Sequence, residues 1–211
     1  MRILLVHGSP KRTASATGML LDALSGRLGE GHTLTRCDAR ELEGTQTEDA
    51  DAIVIGFPLY VDGLPSQLLR ALQAAEGRMR PGAMVYAVVN NGFFEAEQNL
   101  PAFAMLRHWC ARSGLVWGQG LGIGGGGMAQ GLSLESGPLR PAGEALGALA
   151  ESIIARRSGE DILVRPAFPR FLYIRFAHIG WRRDGRHNGV SRRALRARAC
   201  AKDTGNQDPA R

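Results

Sequence analysis

Cysteine is scarce. The 211 residues contain three, Cys37, Cys110 and Cys200. They lie far apart and form no CxxC pair, which excludes a disulfide framework and a cysteine-built metal cluster. His7, His32, His108, His178 and His187 are equally scattered and show no short-range ligand spacing, so no metal centre is expected. Long apolar runs are also lacking. None approaches the roughly 18 residues that mark a membrane-spanning helix. Met1 leads straight into a short strand-like run, so no secretory leader is expected. A reducing, cytoplasmic setting fits these absences.

What is present is an ordinary globular composition, 44% hydrophobic and 22% charged, long enough for one sizeable core plus an extension. The net charge of +6 is unevenly placed. Residues 1–155 hold 12 Lys and Arg against 15 Asp and Glu, whereas residues 156–211 hold 14 against 5. Basicity therefore belongs to the C-terminal stretch, and nucleic-acid binding is a question for that stretch only.

The chain is organised around MRILLVHGSPKRTASAT at its start. Ile3 to Val6 reads as a strand buried on both faces. It breaks at Gly8-Ser9-Pro10, and a helix-forming segment begins near Ser15. Strand, short loop and helix N-terminus make an anion site: amides point inward, and Ser9, Thr13, Ser15 and Thr17 add hydroxyls. Ser15 and Thr17 also suit helix capping. Lys11 or Arg12 offers countercharge, or is a solvated loop cation. Further along, Thr33–Cys37, Ala52–Gly56, Ala83–Val89 and a segment starting at Leu115 read as strands, alternating with helices near 19–28, 65–75, 101–112 and 143–157. The alternation predicts a doubly wound sheet of five parallel strands. Ligands of such sheets lie beyond the carboxyl ends of the strands. Loops 8–17, 57–64 and 90–95 leave those ends, and together they describe a site for a flat, phosphorylated ligand.

The pieces HGSPKRTASAT, FPLYVDGLPSQLLRAL and VVNNGFFE, in that order, resemble the flavodoxin-like NAD(P)H-dependent FMN reductase family over residues 1–155. The resemblance implies a flavodoxin-like fold of strand order 2-1-3-4-5, bound FMN, NADH or NADPH as co-substrate, and a homodimer. It implies hydride transfer from the nicotinamide to flavin and on to a quinone, nitro, azo or similar small-molecule acceptor. Ser9, Lys11, Ser15, Ala16 and Thr17 would hold the FMN phosphate. Pro58, Leu59, Tyr60, Val61, Asp62 and Gly63 would line the isoalloxazine ring. Asn90, Asn91, Gly92 and Phe93 would line its far edge and the ribityl side. No protein acid or base is expected, because the flavin performs the chemistry. The iron–sulfur cysteines of some relatives are absent. So is the Thr- and Gly-alternating phosphate loop of short-chain flavodoxins, which weakens a plain electron-carrier reading. A flavin-binding electron carrier and a non-catalytic flavodoxin-like protein remain the alternatives.

Each signal has a plainer reading. Tyr60 could be a core tyrosine, Asp62 a helix cap, and Asn90-Asn91-Gly92 a turn. His7 reads as a structural group and Cys110 as core packing. Gly120-x-Gly122-x-x-Gly125 matches a dinucleotide fingerprint in spacing. The run is so rich in glycine that other registers match too, and Pro138 and Pro141 delay a following helix. A permissive loop beside the ligand is the better reading.

The expected domain is 1–157, followed by a basic, aromatic helical extension over 158–204 and a disordered end over 205–211. Residues 162–181 hold Phe168, Phe171, Tyr173, Phe176 and Trp181, with a possible second helix over 191–202. Docking on the core or on a second subunit is the leading reading of this extension. Contact with an anionic membrane surface is the next. Nucleic acid is not expected as a partner, because the aromatics sit among Ile and Leu rather than as stacking platforms.

Overall fold

The computed structural model describes residues 1–11 and 14–196. Arg12, Thr13 and the expected disordered end at 205–211 lie outside them, as does the second half of the helix expected at 191–202. The chain divides into two compact units, Met1–Ala167 and Phe168–Arg211.

The first unit is built on parallel strands β1 (Arg2–His7), β2 (Thr33–Asp38), β3 (Ala52–Pro58), β4 (Met84–Asn90), β5 (Val116–Ile123) and β6 (Ile162–Val164). They form one sheet of order β2-β1-β3-β4-β5-β6. The fold is flavodoxin-like, but the sheet has six strands where five were expected. The sixth was read as part of the extension because Ile-Leu-Val is too short to stand out by periodicity. It pairs with Leu121–Ile123 of β5, and what fixes it there is Asp161. That carboxylate accepts from the Gly120 N–H at 2.9 Å, the Trp117 indole at 3.2 Å and Arg107 at 2.7 Å. The unit thus runs to Ala167.

Helices α1 (Ala16–Leu28), α2 (Ser66–Ala74), α3 (Leu100–Ser113) and α4 (Arg140–Ile154) cover the sheet. Successive strand side chains alternate between faces, and two cores result. Leu4, Val6, Ile53, Ile55, Phe57, Val85 and Val89 pack with Leu68 and Leu72 of α2 and Phe103 and Leu106 of α3. Ile3, Leu5, Val54, Tyr86, Val88 and Ile123 pack with Leu20, Leu21 and Leu24 of α1 and Leu146, Leu149 and Ile153 of α4. Each such fully buried side chain stabilises the fold by roughly 1.5–3 kcal/mol before ordering entropy is subtracted.

The glycine-rich stretch 118–131 is strand as far as Ile123, not loop from its start. A Cβ at Gly118 would lie 2.5 Å from the Tyr86 ring, and one at Gly120 would lie 2.7 Å from the Phe103 ring. The missing side chains make room for large neighbours from β4 and α3. The Tyr86 hydroxyl reaches the Ser152 and Arg157 carbonyls at 3.0 and 3.1 Å and closes the end of α4.

Among its described residues the second unit contains α5 (Arg170–His187) and a short turn of helix at Ala194–Arg196. No residue of α5 is buried. The stretch 162–181 therefore divides: β6 belongs to the sheet of the first unit, while the residues from Phe168 onward fall in the second.

Candidate functional site

The loops after β1, β3 and β4 meet at the carboxyl ends of their strands. Gly8 comes close enough to β3 for its N–H to donate to the Gly56 carbonyl at 2.7 Å. A Cβ at Gly8 would lie 2.7 Å from Leu68 and 3.0 Å from the Phe57 Cβ, so only glycine fits this approach. The Leu59 N–H donates to the Asn90 carbonyl at 2.8 Å, joining the second loop to the third. The Thr17 hydroxyl donates to Asn90 Oδ1 at 2.8 Å, joining the first to the third.

Ser15 sits in extended conformation before α1 and caps it, its Oγ accepting from the Gly18 N–H at 3.0 Å. The Met19 N–H goes to the Ser15 carbonyl. The Ala16 and Thr17 N–H groups, in the helix's first turn, have no acceptor within the helix and remain for an anion. Ser9 is buried and its Oγ accepts from the Lys11 N–H at 3.3 Å, while the Lys11 side chain is exposed. Thr17 differs from its expected role. Its hydroxyl proton is committed to Asn90, so it offers an anion its backbone N–H instead.

In the second loop Pro58 and Leu59 are buried. Tyr60 is 45% exposed, so the core-tyrosine reading is excluded. Tyr60 and Gly63 exchange N–H···O bonds of 3.2 and 3.1 Å across a two-residue turn. Val61 and Asp62 occupy it with φ of 48° and 56°. Positive φ at both central residues marks a mirror-image hairpin turn, and a β-branched residue pays strain for it. Asp62 does not cap α2, which has no side-chain cap.

In the third loop Asn90 and Asn91 are both buried. Asn91 uses its carboxamide internally: Nδ2 donates to the Glu95 carbonyl at 3.1 Å and Oδ1 accepts from the Phe93 N–H at 2.9 Å. It shapes the loop rather than presenting an amide to a ligand. Phe93 is exposed. A Cβ at Gly92 would meet nothing within 4 Å.

Three further residues belong to this region and were not singled out in the sequence. Gln67 and Gln130 donate to the carbonyls of Gly8 and Ala14, at 3.3 and 3.0 Å, and so brace the first loop from both sides. Gly126 lies where a Cβ would be 2.5 Å from the Asn90 Cβ. All three act across long sequence separations, and no local motif marks them.

His7 ends β1 with Nε2 3.1 Å from Ser15 Oγ and Nδ1 3.7 Å from Asp38. The direction of the Ser15 contact follows the ring tautomer: a ring proton on Nδ1 would face Asp38 and leave Nε2 to accept from the Ser15 hydroxyl. Burial holds the His7 pKa below its ordinary value, partly offset by the bond to Asp38. A groove of about 380 Å³ opens beside it, lined by His7, Ser15, Asp22, Arg36 and Asp38 among others. None of residues 58–63 or 90–93 lines that groove. Burial pushes the Cys110 thiol up to about 12, which fits a packed, inert thiol. Among the described residues no group of three or more His, Cys, Asp or Glu is placed to hold a metal ion. No helix among them is long and apolar enough to cross a membrane.

A parallel sheet of this order, with strand order reversing between β1 and β3, defines a flavodoxin-like fold. Solved structures agree on the fold. An oxidoreductase from Corynebacterium diphtheriae superposes with a TM-score of 0.58 at 15% identity, covering 74% of this chain and 96% of that one. A flavodoxin from Streptococcus pneumonia TIGR4 gives 0.54 at 16%, covering 74% and 99%. An FMN-dependent NADH-azoreductase from Bacillus anthracis, in complex with FMN, gives 0.50 at 13%, covering 72% and 99%. At these identities the likeness is one of fold. No protein-family model matches the chain, and no curated protein does.

Proposed function

We propose that the chain is an FMN-dependent oxidoreductase that takes a hydride from NADH or NADPH and passes it to a small quinone, nitro, azo or similar acceptor. The observation that carries this reading is the joining of three loops through Asn90, which accepts from Thr17 and from the Leu59 N–H. The donors present suit FMN. The Ala16 and Thr17 N–H groups and the hydroxyl of Ser9 match a phosphate monoester. Tyr60 and Phe93, exposed on neighbouring loops, offer apolar faces to a flat ring. The space before Gly92 lets a ligand approach the backbone.

FMN, when bound, supplies the capacity to accept and return a hydride. The protein's part is to hold that ring and set the distance and angle at which a nicotinamide meets it. The hairpin turn at 60–63 and the carboxamide-stitched loop at 91–95 provide rigid edges for doing so. Gln67 and Gln130 hold the Gly8 and Ala14 carbonyls at the two ends of the first loop, which lowers the ordering needed there on binding.

The test is anaerobic mixing. Purified or FMN-reconstituted protein should show oxidised-flavin absorption, and NADH or NADPH should bleach it within the turnover time of an added quinone. Flavin that binds but resists both nicotinamides would favour the electron carrier. Failure to bind FMN would defeat the reading.

A further inference from the structure

The second unit has features that a flavin site does not use. Residues 168–196 contain eight Arg and no Lys, against the single acid Asp184. Residues Phe171, Ile174, His178 and Trp181 recur at three- and four-residue spacing, which places them on one side of α5. Phe171, Ile174 and Trp181 are 63%, 38% and 65% exposed. The same side carries a cavity of about 390 Å³ lined by His178, Trp181, Arg182, Arg192, Leu195 and Arg196. Two of its linings are held in place locally. The His178 ring meets the Trp181 ring edge-on at 5.6 Å. Leu195 folds back onto Gly185, where a Cβ would lie 2.9 Å from its methyl. Three arginines thus line one pocket, and no acidic residue among the described residues does.

We propose that this unit seats on an anionic phospholipid surface, with Arg182, Arg192 and Arg196 taking lipid phosphates and Phe171, Ile174 and Trp181 entering the headgroup layer. Guanidinium forks match phosphate oxygens. An indole beside them has the amphipathic character of side chains found at membrane–water boundaries. A purely nucleic-acid surface would have no use for the exposed aliphatics Ile174, Ile179 and Leu195. With no membrane-crossing helix among the described residues, attachment would be peripheral and salt-sensitive.

The experiment is flotation of the full-length protein with vesicles of phosphatidylcholine alone and of phosphatidylcholine with phosphatidylglycerol, combined with tryptophan emission. Trp181 is the exposed indole, whereas Trp109 is buried and Trp117 half-buried against Asp161, so insertion should shift the emission to the blue. Co-flotation only with phosphatidylglycerol, reversed by added salt, is the expected result. Replacing Arg182, Arg192 and Arg196 together by Gln should weaken partitioning by about tenfold or more. The salt titration of the unaltered protein decides independently, should that variant fold poorly. No flotation at low salt would overturn the proposal, as would salt-insensitive flotation with both vesicle types. Displacement from vesicles by equimolar inorganic phosphate would assign the pocket to a soluble anion instead. Tighter binding to duplex DNA than to the vesicles at matched salt would assign it to nucleic acid. Either result would also overturn the proposal.

Discussion

Two single residues separate support of the site from contact with its ligand. Thr17 is buried, and its hydroxyl is the donor to Asn90 Oδ1. Thr17→Val keeps the shape and leaves that oxygen unpaired, which should cost about 1–3 kcal/mol of stability. FMN binding should weaken with it, because the first and third loops lose their link. Urea denaturation and FMN titration of the same variant measure both effects. Gly92 is the contrast. Nothing stands within 4 Å of a Cβ placed there, and its φ lies outside the left-handed range. Gly92→Val should leave stability within about 0.5 kcal/mol and weaken FMN by about tenfold, ~1.4 kcal/mol. Unchanged affinity in Gly92→Val would remove loop 90–93 from the site. Hydroxyls, prolines and the Asn-Asn-Gly run made the three loops readable, because each residue type has a local conformational meaning. The commitment of Thr17 to Asn90 was not readable. The two are 73 residues apart, and only the folded sheet brings them together.

Among the elements, β6 was the one hidden in the sequence. Its three residues carry no period of their own, and their place is set by the residue before them. Asp161 gathers a main-chain amide, an indole and a guanidinium, and Arg107 also lies 5.1 Å above the Trp117 ring. Asp161→Asn retains an acceptor but removes the charge that Arg107 pairs with. It should destabilise the unit by about 1.5–3 kcal/mol, read as a lower urea midpoint. The amides of residues 162–164 should then exchange faster than those of β3. The other strands were found close to their true places, since Ile3–Val6, Ala52–Gly56 and Ala83–Val89 are apolar throughout, as doubly covered strands must be. β5 is longer than its sequence suggests, because its glycines look like a loop. Their meaning lies in the bulk of Tyr86 and Phe103, on other elements.

At the scale of the whole molecule, Tyr86 ties the sheet to the end of α4. Burial pushes its phenol from 10.0 up to about 12. The folded state therefore keeps the proton where the unfolded chain has begun to lose it. That contribution is complete below pH 10 and declines as pH rises through about 12. Over that range the protein should lose roughly 2–3 kcal/mol that Tyr86→Phe does not lose. Urea melts taken at stepped alkaline pH would show the two curves converging. The last feature to consider is the lateness of β6 in the chain. Until residues 162–164 are in place, β5 presents an open row of amides and carbonyls, and its own residues are mostly apolar or glycine. Such an edge is a template for strand addition by another molecule. A chain interrupted before Asp161 would carry every helix of the main unit and still be prone to aggregate. β6 serves as the guard that keeps neighbouring copies from zipping onto the sheet.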